Sequence, residues 1–339
     1  MDILRHYEGV PAAFKGGAAA LGNFDGFHRG HQVVAGETGR LARKEQVPLA
    51  VVVSEPHPRT FFNPGAEPFR LTGFRERLAL FETFGVDLAL VLPFTQELAS
   101  FPPEKFVSEV LHRGLGLKHV VVGYDYRFGK ARAGDASALK SLGATCGIRV
   151  HAISPVPFGI EGAAGVPYSS TLVRDALKKG EARKAAAMLG HWWTVNGKID
   201  PGERRGRRIG FPTSNVAFAE TLIPRHGVYA IRARLEGAGE QLFEGAANIG
   251  VRPTFGESKV LLEAHLFDFK GEHYGRHIQV HFVAWILPEQ KFADLEALKA
   301  QLARDCETAR VLLADPENAD GHLPPPTLAA YLAAHPEGR

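Results

Sequence analysis

Along the first half of the chain the apolar positions come in short unbroken runs: AAALGNF, LAVVVS, DLALVLPF, KHVVVG and IRVHAI. Between them lie stretches with helical spacing: one starting at about Arg29, then GFRERLALFETFG, a segment around Lys105 to His112, and DASALKSLG. Unbroken Val/Leu/Ala runs separated by helices predict parallel strands buried on both faces, so this half reads as an α/β domain. Ligands of such sheets settle beyond the carboxyl ends of the strands. GNFDGFHRGH and VGYDYRFG both begin where a strand should end, so both turns are placed for binding.

After roughly Gly190 the pattern changes. In WWTVNGKI, VYAIRARL, LLEAHLFDF and HIQVHFVAWI apolar and polar positions alternate, with frequent Gly and Pro between the runs, which predicts antiparallel strands with one wet face. In HIQVHFVAWI a period of two puts Ile278, Val280, Phe282, Ala284 and Ile286 on one face. A single helix should follow, with Leu295, Leu298, Leu302, Cys306 and Ala309 as its apolar stripe. The last residues, DPENADGHLPPPTLAAYLAAHPEGR, are Pro-rich and polar apart from LAAYLAA and read as a mostly mobile extension. No internal repeat is visible. The division expected is 1–186, 187–314 and a tail at 315–339.

Composition narrows the class only a little. At 339 residues, with 45% hydrophobic and 23% charged residues, the chain suits two folded domains. Forty Lys and Arg against 37 Asp and Glu leave +3, too little to point to nucleic acid or a membrane surface. Cys146 and Cys306 have no disulfide or metal-like spacing and read as reduced thiols. The first residues lack the apolar run of a signal peptide, and no stretch has the length of a membrane span, so the expected location is the cytoplasm and no membrane partner is expected.

The chemistry is concentrated in a few motifs. In LGNFDGFHRGH, His28 and His31 stand three apart at a helix start, where N–H groups and the dipole already favour an anion. Imidazoles there can donate to phosphate oxygens and stabilise charge at an α-phosphorus as pyrophosphate leaves, and Gly26 and Gly30 allow close backbone approach. The plain alternative is a capped turn with two surface histidines. In PYSSTLVRDAL, Ser169, Ser170 or Thr171 can cap a helix and Arg174 lies about a turn inside it. Hydroxyls, backbone N–H groups and a guanidinium at one helix start also suit a phosphate clamp.

The ordered set GNFDGFHRGH, EPHP, VGYDYRFGK and SSTLVR resembles the adenylyltransferase half of bacterial bifunctional riboflavin kinase/FAD synthetases, over about residues 15 to 185. The resemblance implies a Rossmann-like nucleotidyltransferase fold that condenses FMN with ATP to give FAD and pyrophosphate. Carried across, Gly22, Asn23, Asp25, His28 and His31 belong to the nucleotide site, with Ser169, Ser170, Thr171 and Arg174 closing over the phosphates. Asp125 and Phe128, and the PHPRTFF stretch with His57 and Phe62, would lie near flavin or adenine, while Phe61, Phe62 and Phe128 also suit ordinary core packing. Phe27 and Ser54 depart from the family pattern, which has an aliphatic and an aromatic residue there, so no flavin stacking is assigned to position 54.

The second half carries GRRIGFPTSNV. Thr213 and Asn215 stand two apart on an extended segment, so a hydroxyl and an amide oxygen can face one side as neighbours of a hydrated magnesium on ATP phosphates. Gly210 precedes them in the expected nucleotide site. In LLEAHLFDF, Glu263, His265 and Phe267 share a face opposite Leu262, Ala264 and Leu266, and Glu263 is placed as a base for a primary alcohol. A loop and a solvated carboxylate are the plain alternatives. PTSN, with Ser214 for the usual alanine, is similar to the PTAN motif of riboflavin kinases, and GVYA, NIGVRPTF and E-x-H-x-F-D-F follow in that family's order across about 190 to 312. The resemblance implies a six-stranded barrel with a C-terminal helix, riboflavin as substrate, and Glu263 as catalytic base. ERRGRR and Arg310 suit phosphate or flavin contacts and equally a solvated loop and helix face.

The expectation is therefore a bifunctional enzyme handling riboflavin, FMN, FAD and ATP with magnesium and without nucleic acid. A class I aminoacyl-tRNA synthetase also uses an H-x-G-H turn, but there is no KMSKS-like segment. A nucleic-acid-binding β module leaves PTSN and Glu263 without a role. A flavin-responsive regulator with a disabled site is disfavoured because no proposed catalytic group is missing.

Overall fold

The computed structural model describes all residues except 160–164, 201–209, 219, 240, 255–256, 270, 272–273 and 338–339, and leaves the side chains of 252–259 and 320 undescribed. ERRGRR at 203–208 therefore lies outside the described residues. The chain forms two compact units, one of Met1–Ala66, Arg77–Ser169 and Pro325–Arg339, the other of Glu67–Glu76 and Ser170–Pro324.

In the first unit six strands, β1 (Asp2–Leu4), β2 (Ala18–Leu21), β3 (Leu49–Glu55), β4 (Leu88–Pro93), β5 (His119–Gly123) and β6 (Arg149–Ile153), pair in the order β1-β4-β3-β2-β5-β6. Every pairing is parallel. The unbroken apolar runs are the four central strands: Ala18 to Leu21, Leu49 to Val53, Leu88 to Leu92 and His119 to Val122 are buried, whereas edge strands β1 and β6 are largely open. Helices α1 (Arg29–Glu45), α2 (Pro58–Phe62), α3 (Phe74–Phe84) and α4 (Ala136–Thr145) follow or connect strands. The helix expected near Lys105 is π-wound over Phe106–Gly114 and buries Phe106, Val107, Val110 and Leu111 in the core. Chain order reverses between β2 and β5, so the switch point lies at their carboxyl ends, where the two sequence motifs emerge.

The last residues are not a loose extension. Helix α8, defined here as Leu328–Ala334, belongs to the first unit and buries Leu328 and Tyr331. The polar composition hid one apolar face that needs only two large side chains.

In the second unit, helices α5 (Ser170–Lys179) and α6 (Ala182–Leu189) precede β7 (Trp193–Lys198), β8 (Ser214–Ala217), β9 (Gly227–Leu235), β10 (Leu242–Thr254), β11 (Glu257–Leu266) and β12 (His277–Leu287). These strands pair antiparallel in the order β7-β12-β9-β10-β11-β8. The sheet curls until its ends meet: Asp200 N donates to Asn215 O at 2.9 Å, and a Cβ on Gly197 of β7 would stand 2.3 Å from Val216 of β8. The result is close to a closed barrel with Phe282 packed against both Trp193 and Tyr229.

Two expectations about faces need correction. Ile278, Val280 and Phe282 do share the face that meets Trp193 and Tyr229, but the register between β12 and β9 slips at Val283. A bulge inserts one residue and reverses the alternation beyond it. Val283 and Ala284 therefore join Ala186, Trp192, Ala230 and Ala309 in a second core, with Ile286 packed against it. Helix α7 (Leu295–Ala314) covers that core with Ala309 and Leu313, supported by Cys306 and Leu312. Leu295 at its start is 50% exposed, so the stripe closes only over the last turns. Cys146 and Cys306 are free thiols, and burial raises Cys306 to about 11, keeping it protonated at neutral pH.

Candidate functional site

The first candidate site is built at the end of β2. His28 is the N-cap of α1, and its Nδ1 accepts from His31 N at 3.3 Å. A ring that accepts through Nδ1 carries its proton on Nε2 when neutral. The His28 and His31 rings stack at 3.6 Å with 18° between planes. The sequence pattern placed both histidines on the first helical turn; the structure makes one the cap and the other the third helical residue. The first turn of α1 holds no acidic residue, so the positive end of the helix is not offset from within it. Space is tight at Gly30, where an added Cβ would lie 3.2 Å from both the His28 ring and Tyr168 Cβ.

The turn that delivers these histidines is held from beneath. Phe24 and Phe27 carry positive φ of 50° and 39°, a conformation costly for residues with side chains. Burial compensates, because the two rings meet Phe81 edge-on at 5.8 and 5.4 Å, Phe27 also meets Phe84, and Phe24 meets His31 at 5.2 Å. Gln32 Nε2 donates to Phe27 O at 2.8 Å. Arg77 of α3, 1% exposed, donates to Asn23 O at 2.9 Å and to Glu55 at 2.8 Å, tying the GNFDG turn to the end of β3. Sequence reading passed over Arg77 because an arginine inside an amphipathic helix looks like any surface cation. Asp25 is buried in the same turn, and Gly22 and Asn23 are half-buried.

The other residues expected here fall into different settings. Asp125 is exposed just past β5. Phe128 is a core residue at 6% exposure, packed on Tyr126 and Phe106, so its ring is not presented to a ligand. Phe62 is 66% exposed on α2, with Phe61 and Phe94 edge-on behind it at 5.2 and 5.8 Å. His57 caps that short helix, accepting from Arg59 N at 3.0 Å. Ser169 is the last residue of its segment of the first unit, whereas Ser170, Thr171 and Arg174 begin α5 of the second. There Arg174 donates to Phe69 O at 2.8 Å and lies over the Phe69 ring.

The second candidate site is a row across three strands. Glu263 of β11 stands opposite Asn215 of β8 on one side and Asn248 of β10 on the other. Residues directly opposite share a face, so all three side chains rise from the same side of the sheet. The intervening Ser214, Val216, Leu262 and Ala264 are buried on the other. His265, two residues on, bonds Pro212 O through Nδ1 at 2.8 Å and meets Phe211 edge-on. A side chain on the Glu263 face thus fixes the segment that carries Thr213. Asn248 and His265 were not assigned from sequence, because register and a cross-strand bond are invisible in one strand's alternation.

Gly210 has φ of 89° with open space around it, so backbone conformation and not crowding calls for glycine there. Thr213 and Asn215 offer hard oxygen donors two residues apart on extended chain, and they fit magnesium, which keeps waters and takes few protein ligands. Among the described residues no group of three or more His, Cys, Asp and Glu is gathered as a metal cluster. Arg310 of α7 lies 4.2 Å over the Phe267 ring and donates to Asp268 at 3.3 Å, which sets the guanidinium at the end of E-x-H-x-F-D-F.

Comparison with known proteins agrees with this architecture. Residues 10–164 match the FAD synthetase family model and residues 189–313 the riboflavin kinase model. The bifunctional riboflavin kinase/FMN adenylyltransferase of Escherichia coli K12 is 40% identical over 311 residues, covering 91% of this chain and 97% of that protein. The protein of the same name from Pseudomonas fluorescens is 39% identical over 315 residues, covering 93% and 98%. The crystal structure of a macrolide-efflux protein from Streptococcus pneumoniae superposes with a TM-score of 0.79 at 27% identity, over 91% of this chain and 98% of that one. Among the described residues no helix is long and apolar enough to cross a membrane.

Proposed function

Because the chain belongs to the bifunctional riboflavin kinase/FMN adenylyltransferase family, we propose a division of labour between its two kinds of site. Riboflavin is phosphorylated to FMN at the Glu263 row, and FMN is adenylylated to FAD at the His28–His31 turn. The observation that carries this reading is that the stacked histidine pair and the Asn215–Glu263 row belong to different compact units, each with the chemistry of one step. The domain limits we assign are 1–186 and 187–314.

In the kinase step Glu263 takes the proton from the primary alcohol of riboflavin as its oxygen attacks the γ-phosphorus and ADP leaves. Thr213 and Asn215 would hold magnesium, which offsets charge on the ATP phosphates when bound. Asn248 and His265 keep the carboxylate and the Thr213 segment in register, and Gly210 gives the phosphates backbone access. Arg310, anchored on Phe267 and Asp268, is placed to meet the flavin.

In the adenylylation step the FMN phosphate is itself an anionic nucleophile, so no general base is needed. One of its oxygens attacks the α-phosphorus of ATP, and pyrophosphate departs. Nε2–H of His28 and the His31 ring donate to oxygens that gain charge as the bond breaks, with the α1 N-terminus adding its partial positive charge. Gly22, Asn23 and Asp25 line the nucleotide, and Ser169 remains our assignment for the phosphates, while Ser170, Thr171 and Arg174 belong to the other unit. Phe62 and Asp125 are assigned to the flavin. Both steps consume ATP, and the compartment we assign to them is the cytoplasm.

Incubating the purified chain with riboflavin, ATP and magnesium and separating the flavins by chromatography tests the reading. FMN should appear first and FAD after it. Formation of neither, in oxidised or reduced flavin, overturns it.

A further inference from the structure

Helix α1 carries the histidines on its first turn and two glycines, Gly36 and Gly39, further along. Glycine is a poor helix former in mid-helix, so its presence twice within one turn calls for a reason. Space supplies it. A Cβ on Gly36 would lie 2.2 Å from the Tyr331 ring, and one on Gly39 would lie 2.5 Å from Leu328. The glycines form the seat on which α8 rests.

The seat is also polar in a specific way. Tyr331 donates from its hydroxyl to Glu37 Oε1 at 2.8 Å, and both residues are buried. His335 stacks on the Tyr331 ring at 4.4 Å. Arg40, one turn past Gly36, donates to the carbonyls of His335 and Pro336. Thr327 caps the start of α8 by accepting from Ala330 N at 3.1 Å. A helix of seven residues does not persist alone in water, so this segment is ordered by what it grips. The grip is centred on Glu37, six residues or about 9 Å along the helix from His31. The family models end at residue 313, so nothing in them accounts for it.

We infer that the C-terminal segment 325–337 is a positioning strap for adenylylation, with Tyr331 fixing through Glu37 and the Gly36/Gly39 seat the helix that presents His28 and His31. The inference rests on reading those histidines as the adenylylation site. Tyr331 is a positioning residue, since it reaches the reacting atoms only through α1.

The test uses the full chain with Gly36→Ala, Tyr331→Phe and Tyr331→Ala, and a chain ending at Pro324. Both reactions are followed well below each variant's unfolding midpoint, where every variant is folded by circular dichroism. Gly36→Ala is the informative substitution, because alanine favours the helix while its methyl displaces the strap. It should lower kcat for FMN adenylylation at least 10-fold with KM for ATP within about threefold and riboflavin phosphorylation unchanged. Tyr331→Ala and the shortened chain should do the same, Tyr331→Phe less, and a peptide of residues 325–339 added to the shortened chain should restore turnover. Full adenylylation by Gly36→Ala and by the shortened chain overturns the proposal. If the shortened chain does not fold, Gly36→Ala and Tyr331→Phe decide it alone. His28→Ala with His31→Ala in the intact chain separates the two readings: FAD synthesis surviving there means the site assignment has failed, whereas FAD synthesis lost there but intact in Gly36→Ala means that only the strap has failed.

Discussion

Arg77→Ala isolates how the turn proposed for adenylylation is held in place. The guanidinium is 1% exposed and donates to Glu55 at 2.8 Å and to Asn23 O at 2.9 Å. Removing one partner of a buried ion pair costs about 3–5 kcal/mol, and loss of a charged bond to a carbonyl about 1.5–3 kcal/mol. These overlap, and Glu55 is 22% exposed, so water recovers part of its solvation. The expected loss is therefore near the lower bound, about 3 kcal/mol. For a unit of this size that lowers the unfolding midpoint by about 6–12 °C. Catalysis should suffer separately, because a shift of about 1 Å in a positioned group costs on the order of 100-fold. Steady-state assays of the two reactions on one preparation read both effects. FMN adenylylation should fall about 10- to 100-fold, with riboflavin phosphorylation unchanged because Glu263 and its row belong to the other unit. Arg77→Lys, able to reach one acceptor but not bridge both, should fall between. Wild-type adenylylation and an unmoved midpoint in Arg77→Ala would refute the reasoning and leave the pair a bystander. A matched loss of both activities would mean that the two units unfold as one.

Replacing His28 and His31 together with alanine should abolish FAD formation while riboflavin still becomes FMN; undiminished FAD in the chromatogram would remove the pair from the chemistry. Glu263→Gln preserves size and hydrogen bonding but cannot accept a proton, so FMN formation should drop by about 10²- to 10⁴-fold with adenylylation of supplied FMN retained, and normal kinase turnover would reduce Glu263 to a solvated carboxylate. Burial, then neighbouring His151, holds His119 below the ordinary value of 6.5, and its ring lies 3.3 Å from that of His151. A histidine depressed in the folded state favours the unfolded chain once it takes a proton, so the first unit keeps this stability above about pH 6.5 and loses it as pH falls. Urea titrations at pH 7.5 and 5.5 should show a smaller pH penalty in His119→Phe than in wild type, and equal penalties would dismiss the pair as the cause.

The sequence alone determined the two fold classes, because unbroken apolar runs and period-two alternation are local consequences of burial on two faces or one. It also singled out the His28–His31 turn, Thr213, Asn215 and Glu263 as candidates, since each motif lies within a few consecutive residues. Where a feature depended on a partner distant in the chain, local pattern failed. The extra residue at Val283 reversed the face of Ala284 and Ile286, because a bulge is a property of strand pairing and not of one strand. Phe128, indistinguishable in sequence from an exposed aromatic such as Phe62, went into the core because Phe106 and Tyr126 arrive there from other elements. Arg77 acquired its role from Asn23 and Glu55, which lie 54 and 22 residues away, and Asn248 reached Glu263 only through antiparallel register. The tail looked mobile because its composition is polar and Pro-rich. Its order comes from Gly36, Glu37, Gly39 and Arg40 on a helix almost three hundred residues earlier, and only the tertiary fold brings that seat beneath Tyr331.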